Sequence, residues 1–287
     1  MFLFSRRLCA IASILLCGTA ANAHGVVSER FFPATIAADD PFAADELALP
    51  TFTALKPSGG PREADTDFEW SKSILPGFAI SFEGGYADSP GSKGWDNLEI
   101  TPVVQLIKAP ESEFVLSAGM GFELGGTGSS TIADPFTTYT SEILFGKGFG
   151  DLPDHAALLR PLAVTGRIAY AIPGKSSAAR TVEWGGAVEY SLAYLSTNVR
   201  DVGLGEFASR LTPLVEFSLE SPDNDKTTGT INPGLLWSGQ YVQFGVEAVV
   251  PINATTGHNV GVTAQLHFYM DDIFPHSLGR PLFGSSP

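Results

Sequence analysis

Over residues 181 to 195 the even positions read Val182, Trp184, Gly186, Val188, Tyr190, Leu192 and Tyr194. The odd positions read Thr181, Glu183, Gly185, Ala187, Glu189, Ser191 and Ala193. Apolar residues thus alternate with small or acidic ones, and side chains of a strand point alternately to opposite faces. The same period predicts strands near 48–56, 66–74, 77–87, 96–108, 112–124, 138–149, 160–172, 181–195, 207–220, 229–238, 240–251 and 258–269. The clearest stripes are Phe114, Leu116, Ala118, Met120 and Phe122, and Val242, Phe244, Val246, Ala248 and Val250. The weakest segment is 48–56, which contains Pro50.

Connections predict how these strands are joined. Residues 75–77, 109–111 and 238–240 read as tight turns. Those at 57–65, 125–137, 196–206 and 221–228 are longer and rich in Gly, Ser, Asp and Thr. Short and long links roughly alternate, as in outer-membrane barrels with short periplasmic turns and longer outer loops. If 75–77 is periplasmic, strand 66–74 runs inward and needs an outward strand before it. Only 48–56 can fill that place. The fold class predicted is therefore all-β, an antiparallel transmembrane β-barrel of about twelve strands, or ten without 48–56. Tyr86, Trp95, Tyr139, Tyr170, Trp184, Tyr194, Trp237, Tyr241 and Tyr269 lie toward strand ends, as interfacial girdles require.

The chain opens with an export signal. Arg6 and Arg7 form a positive n-region, Leu8 to Cys17 an apolar core, and Ala21-Asn22-Ala23 a small-x-small cleavage site. Residues 1–23 are assigned to this signal peptide, 24–47 to an irregular N-terminal segment (periplasmic or a plug), 48–269 to the barrel and 270–287 to a C-terminal tail. Cys9 and Cys17 are the two cysteines, and both fall within the signal. Arg6 and Arg7 leave with it, while all 31 acidic residues stay, so the mature chain is more acidic than the full-length net charge of -14. Such a surface excludes nucleic acid as a partner.

Placing the apolar face of each strand toward lipid puts Glu69, Glu83, Glu99, Glu113, Glu123, Glu142, Glu183, Glu189, Glu216 and Glu247 in the lumen, with Arg167 as its basic residue. Charge facing lipid is unfavourable, by roughly 2–4 kcal/mol for a midplane Arg or Lys and less for Asp or Glu. A lumen rich in carboxylates concentrates cations and repels anions. The opposing expectation is a barrel filled by a hydrogen-bonded Glu–Arg–Gln network that conducts nothing.

Asn259-Val260-Gly261-Val262-Thr263-Ala264-Gln265-Leu266-His267-Phe268 resembles the terminal assembly signal of outer-membrane barrels, although a tail from Met270 to Pro287 follows it. Over most of its mature length the chain resembles poorly characterised proteobacterial outer-membrane barrels of transporter-like type. The resemblance implies a Gram-negative outer-membrane location, lipid and the assembly machinery as partners, and passage or binding of small cationic or neutral solutes. It implies no catalytic residues.

Two further functions compete. One is a soluble periplasmic or secreted all-β binding protein whose apolar stripes face each other in a sandwich. The other is a copper-binding protein. After cleavage His24 would offer its α-amine and imidazole together as copper ligands, and a His-Gly start also occurs in copper-dependent polysaccharide monooxygenases. His155, His258, His267 and His276 show no metal-ligand spacing that would complete such a site. No Gly-x-Ser-x-Gly elbow, His-Glu-x-x-His or Gly-Lys-Ser loop is present, so no enzyme is expected and no cofactor other than copper.

Overall fold

A computed structural model describes residues 25–55, 63–223 and 225–284. The expected signal peptide, His24 and most of the first long loop lie outside these residues. A small hairpin comes first, β1 (Val26–Val27) with β2 (Arg30–Phe31). The wall follows: β3 (Glu46–Leu55), β4 (Glu63–Leu75), β5 (Phe78–Ser89), the short β6 (Ser92–Trp95), β7 (Glu99–Ala109), β8 (Phe114–Glu123), β9 (Thr138–Gly148), β10 (Leu162–Pro173), β11 (Thr181–Tyr190), β12 (Leu211–Pro222), β13 (Thr228–Ser238), β14 (Val242–Pro251) and β15 (Gly261–Tyr269).

Each long strand pairs antiparallel with the next, and β6 folds back on the end of β5. β15 pairs with β3 from Val262↔Ala54 to Tyr269↔Glu46, which closes a ring of twelve strands. The pairing slips around Leu49-Pro50 on both sides of β3. That bulge admits Pro50, which has no N–H to give a ladder. With an even number of strands, β3 starts and β15 ends at one rim, here the terminal rim; the opposite end is the far rim.

The apolar stripes lie on the outside of this ring. In β11 Val182, Trp184 and Val188 are exposed while Ala187 and Glu189 are buried. In β12 to β15 Val215, Ile231, Leu235, Phe244, Val246 and Val262 carry the exposed face. The stripes do not face one another, as a sandwich would require. No helix among the described residues is long and apolar enough to cross a membrane.

Three sequence expectations are corrected. The segment expected as a strand over 181–195 leaves the sheet at Tyr190. The Ser191 side chain accepts a hydrogen bond from the Tyr194 amide at 3.1 Å, which starts the helical turn α1 (Leu192–Tyr194) and a π-turn over Leu195–Val199. Connection lengths do not alternate either. The link from β9 to β10 carries a 3-10 segment, Asp154–Leu159, and that from β11 to β12 carries α1 and α2 (Glu206–Ser209). Both long links lie at the terminal rim beside the tight turns, because there they cover the N-terminal segment. Finally, Tyr194 and Tyr269 are not girdle residues. Both are buried inside the rim, and the Tyr269 hydroxyl donates to Gln243 Oε1 at 2.9 Å. Tyr86, Trp95, Tyr139, Tyr170, Trp184 and Tyr241 are exposed on the wall or its edge.

Replacing Val188 with Arg puts a charge on the exposed face, whereas Glu189→Gln keeps a polar group inside. The expected result is that Val188→Arg greatly reduces the heat-modifiable, folded band on gels while Glu189→Gln leaves it at the wild-type level.

Candidate functional site: the barrel interior

Residues 25–45 run inside the terminal half of the ring, bonded to inward side chains of the wall. Arg30 is fully buried. Its Nε donates to Glu113 Oε2 at 3.1 Å, its Nη1 to the Pro161 carbonyl at 3.1 Å and its Nη2 to the Arg160 carbonyl, and its guanidinium lies 3.7 Å from the Tyr194 ring centre. Glu113 also accepts from the Gly150 amide at 3.0 Å and the Tyr194 hydroxyl at 3.1 Å. Burial, then the neighbouring Glu113 carboxylate, raises the Tyr194 pKa. Beside this cluster Val27, Phe32, Val115 and Ala163 form an apolar core, with Phe42 packed on it.

Further along, three consecutive amides of the segment converge on one carboxylate. Ile36, Ala37 and Ala38 donate to Glu216 at 2.9, 2.7 and 2.9 Å. Gln243 donates to the Ala34 carbonyl at 2.6 Å and Ser117 to the Pro41 carbonyl. At the end of the segment Asp45 binds Lys72 at 2.5 Å, and Lys72 also donates to the Leu278 and Arg280 carbonyls of the C-terminal tail. Charged hydrogen bonds of this kind contribute about 1.5–3 kcal/mol each.

Between this segment and the far rim lies a cavity of about 530 Å³. Eleven acidic side chains, Arg167 and His267 are among the residues that line it. On one wall the register sets four glutamates in a row across adjacent strands, Glu69↔Glu83, Glu83↔Glu99 and Glu99↔Glu123. Directly opposed side chains have Cβ atoms about 4.5–5.5 Å apart, where like charges repel. None of the four forms an ion pair among the described residues. Asn97 Nδ2 donates to Glu123 at 2.9 Å and Thr101 to Glu99 at 3.3 Å. The Glu99 carboxylate lies over Gly121, where a Cβ would come within 2.3 Å of it.

Round the wall from this row, Arg167 contacts Glu142 at 2.6 Å, Glu183 at 3.0 Å and Asp39 of the inner segment at 3.0 Å. His267 Nε2 lies 3.1 Å from Glu46.

The ten glutamates singled out in the sequence thus occupy three settings. Glu69, Glu83, Glu99, Glu123, Glu142 and Glu183 line the cavity with Arg167. Glu189, Glu216 and Glu247 are inside the ring but buried away from it, Glu247 beside the Glu216 carboxyl. Glu113 is not on a strand. It follows the 3-10 turn Pro110–Ser112 with φ 48° and belongs to the sealed rim cluster. Arg210 stands at the C-terminal end of α2 and pairs with Glu206.

Sequence reasoning missed Asp39 and Asp40 on the cavity, because they come from an irregular segment with no period to read, and Asp96, because it precedes β7 and falls outside its alternation with Glu99. Asp67 shares the phase of Glu69 two residues on and was legible. Lys72 had no signal: its strand phase points outward, and Asp45 together with the tail covers it. His24 lies outside the described residues.

No family model and no curated protein matches the chain. Similar solved structures do exist. One is the COG4313 outer membrane channel from Pseudomonas putida F1, with 11% identity over 83% of this chain and 99% of that one, at a TM-score of 0.50. Another is the NanC porin, with 13% identity over 78% and 98% of the two chains, also at 0.50. The KdgM porin matches at 15% identity over 78% and 98%, with a TM-score of 0.48. The fold is that of an outer-membrane β-barrel. At these identities the likeness concerns the fold alone.

Removing the Glu216 carboxylate leaves three amides of the inner segment without their acceptor. In Glu216→Ala the amides of Ile36, Ala37 and Ala38 should exchange at least tenfold faster with deuterium, since a loss of about 1.4 kcal/mol is already tenfold, while amides of β7 and β8 stay protected.

Proposed function

We propose that this protein is a channel of the Gram-negative outer membrane that passes small cationic or neutral solutes. The observation that carries this reading is the row Glu69, Glu83, Glu99 and Glu123, with no cation bound to it from the protein itself among the described residues. Two unit charges about 5 Å apart repel by roughly 1 kcal/mol in water and about 3 kcal/mol at an effective dielectric constant of 20. A mobile cation relieves that repulsion at each step along the row, and an anion increases it. Arg167 is neutralised by Glu142, Glu183 and Asp39 and so offers little to an anion. Similarity in fold to an outer-membrane channel and a porin supports the channel class and the location. Lipid, the barrel assembly machinery and the permeating solute are the partners this reading requires.

Residues 30–42 occupy the terminal half of the lumen and narrow the path. They act as a constriction in this reading, with Asp39 as its charged face toward the cavity.

Single-channel recording in planar bilayers under a KCl gradient tests the reading. Discrete steps with a cation-selective reversal potential are expected. In Glu83→Gln/Glu99→Gln the reversal potential should move toward zero at unchanged insertion, and the difference should shrink at high salt as screening grows. Deletion of residues 30–42 should raise conductance. Anion selectivity of the intact protein, or silence of both it and the deletion variant, would overturn the proposal.

A further inference from the structure

The two long connections at the terminal rim cover the inner segment with Arg160, Pro161 and Tyr194. Their other turns, Asp154–Leu159 and α2, reach outward to the edge of the wall's outer face. Phe207 of α2 stacks on Trp237, with ring centres 5.7 Å apart and planes at 20°. Trp237 shares the outward phase of β13 with Ile231 and Leu235. Independently, the Tyr190 hydroxyl donates to the Leu158 carbonyl at 3.0 Å, and Tyr190 shares the outward phase of β11 with Val188. Each connection is therefore tied to the wall's apolar exterior at its terminal edge.

Apolar side chains of both connections remain uncovered there. Phe207 is 67% exposed, Leu158 63% and Leu159 51%, and Val202 and Leu204 are exposed as well. Charged neighbours complete an amphipathic arrangement: Glu206 pairs with Arg210 at 3.2 Å and Asp154 with Arg160 at 2.8 Å, both acids almost wholly in solvent. A patch that continues the lipid-facing belt, carries aromatic and leucine side chains, and is edged by charge fits the boundary between headgroups and acyl chains.

We propose that residues 154–159 and 202–209 are interfacial anchors, with Leu158, Leu159 and Phe207 inserted among the phospholipids of the leaflet at the terminal rim. They hold the barrel at a fixed depth and orientation in the bilayer. The inference rests on the membrane-barrel reading but not on conduction.

Site-directed spin labelling distinguishes the two. The only cysteines of the sequence, Cys9 and Cys17, lie in the expected signal, so single cysteines can be labelled in the membrane-purified protein. Labels at Phe207→Cys, Leu158→Cys and Leu159→Cys are measured in phosphatidylethanolamine–phosphatidylglycerol vesicles. Val188→Cys serves as the belt reference and Asp154→Cys as the aqueous one. The Leu159 label leaves the Phe207–Trp237 stack intact, so its readout does not depend on that packing.

The expected result is a ratio of oxygen to nickel-chelate collisions several-fold above that of Asp154→Cys and below that of Val188→Cys. Aqueous values at 158, 159 and 207 with a lipid value at 188 would overturn the anchor and leave the barrel reading standing. Low accessibility to both reagents at these sites would mean a protein partner or second copy covers them, which also overturns it. An aqueous value at Val188 would remove the membrane reading itself.

Discussion

Closure of the sheet is the constraint on which everything else rests. A strand at the edge of a sheet leaves a row of N–H and C=O groups without partners, which lipid cannot satisfy. The β15–β3 ladder removes that edge. It requires β3, a strand that carries a proline and two register slips, to lie between β15 and β4. Once the ring is closed, strand alternation leaves each side chain only two places to go. Outward positions are Val, Ile, Leu, Phe and Trp, and inward ones are Glu, Gln, Thr, Ser and Gly.

The interior is then a problem of charge. Ten or more carboxylates cannot share a narrow space without compensation, and the molecule uses two different solutions. In the terminal half, the inner segment brings its own donors: the Arg30 guanidinium to Glu113 and three backbone amides to Glu216. In the far half, Arg167 compensates Glu142, Glu183 and Asp39, while the row from Glu69 to Glu123 has no such partner among the described residues. The same residue type thus serves as a structural anchor at one level and leaves an unbalanced surface at another. Glycine placement permits this, since the Glu99 carboxylate occupies the space a side chain at Gly121 would take.

The two rims differ for a related reason. The terminal rim must seal a buried segment, so its links from β9 to β10 and from β11 to β12 grew helical turns, and the tail after β15 folds back over Lys72. These additions place extra apolar surface at the edge of the belt. Toward the far rim lie the cavity residues Asp96, Asn97 and Glu123, with Asn97 bonded to Gly128 and Asp134 of the link from β8 to β9.

What the amino-acid sequence determined by itself is whatever follows from a period of two. Strand number, the outward face of β11, and the parity that demanded a strand at 48–56 all follow from local alternation and short turns, which need no knowledge of distant residues. Tertiary structure decided what alternation cannot encode. Ser191 ended β11 through a side-chain cap, although Leu192 and Tyr194 continued its pattern. Glu113, Glu216 and Glu247 look like Glu83 in sequence, yet Arg30 holds Glu113, the amides of residues 36–38 hold Glu216, and Glu247 lies against Glu216, all away from the cavity. Lys72 reads as a lipid-facing charge until the tail covers it. The Ser191 cap is local, three residues long; for the glutamates and Lys72 the deciding partner lies far away in the chain, and its position is set only when the ring closes around the inner segment.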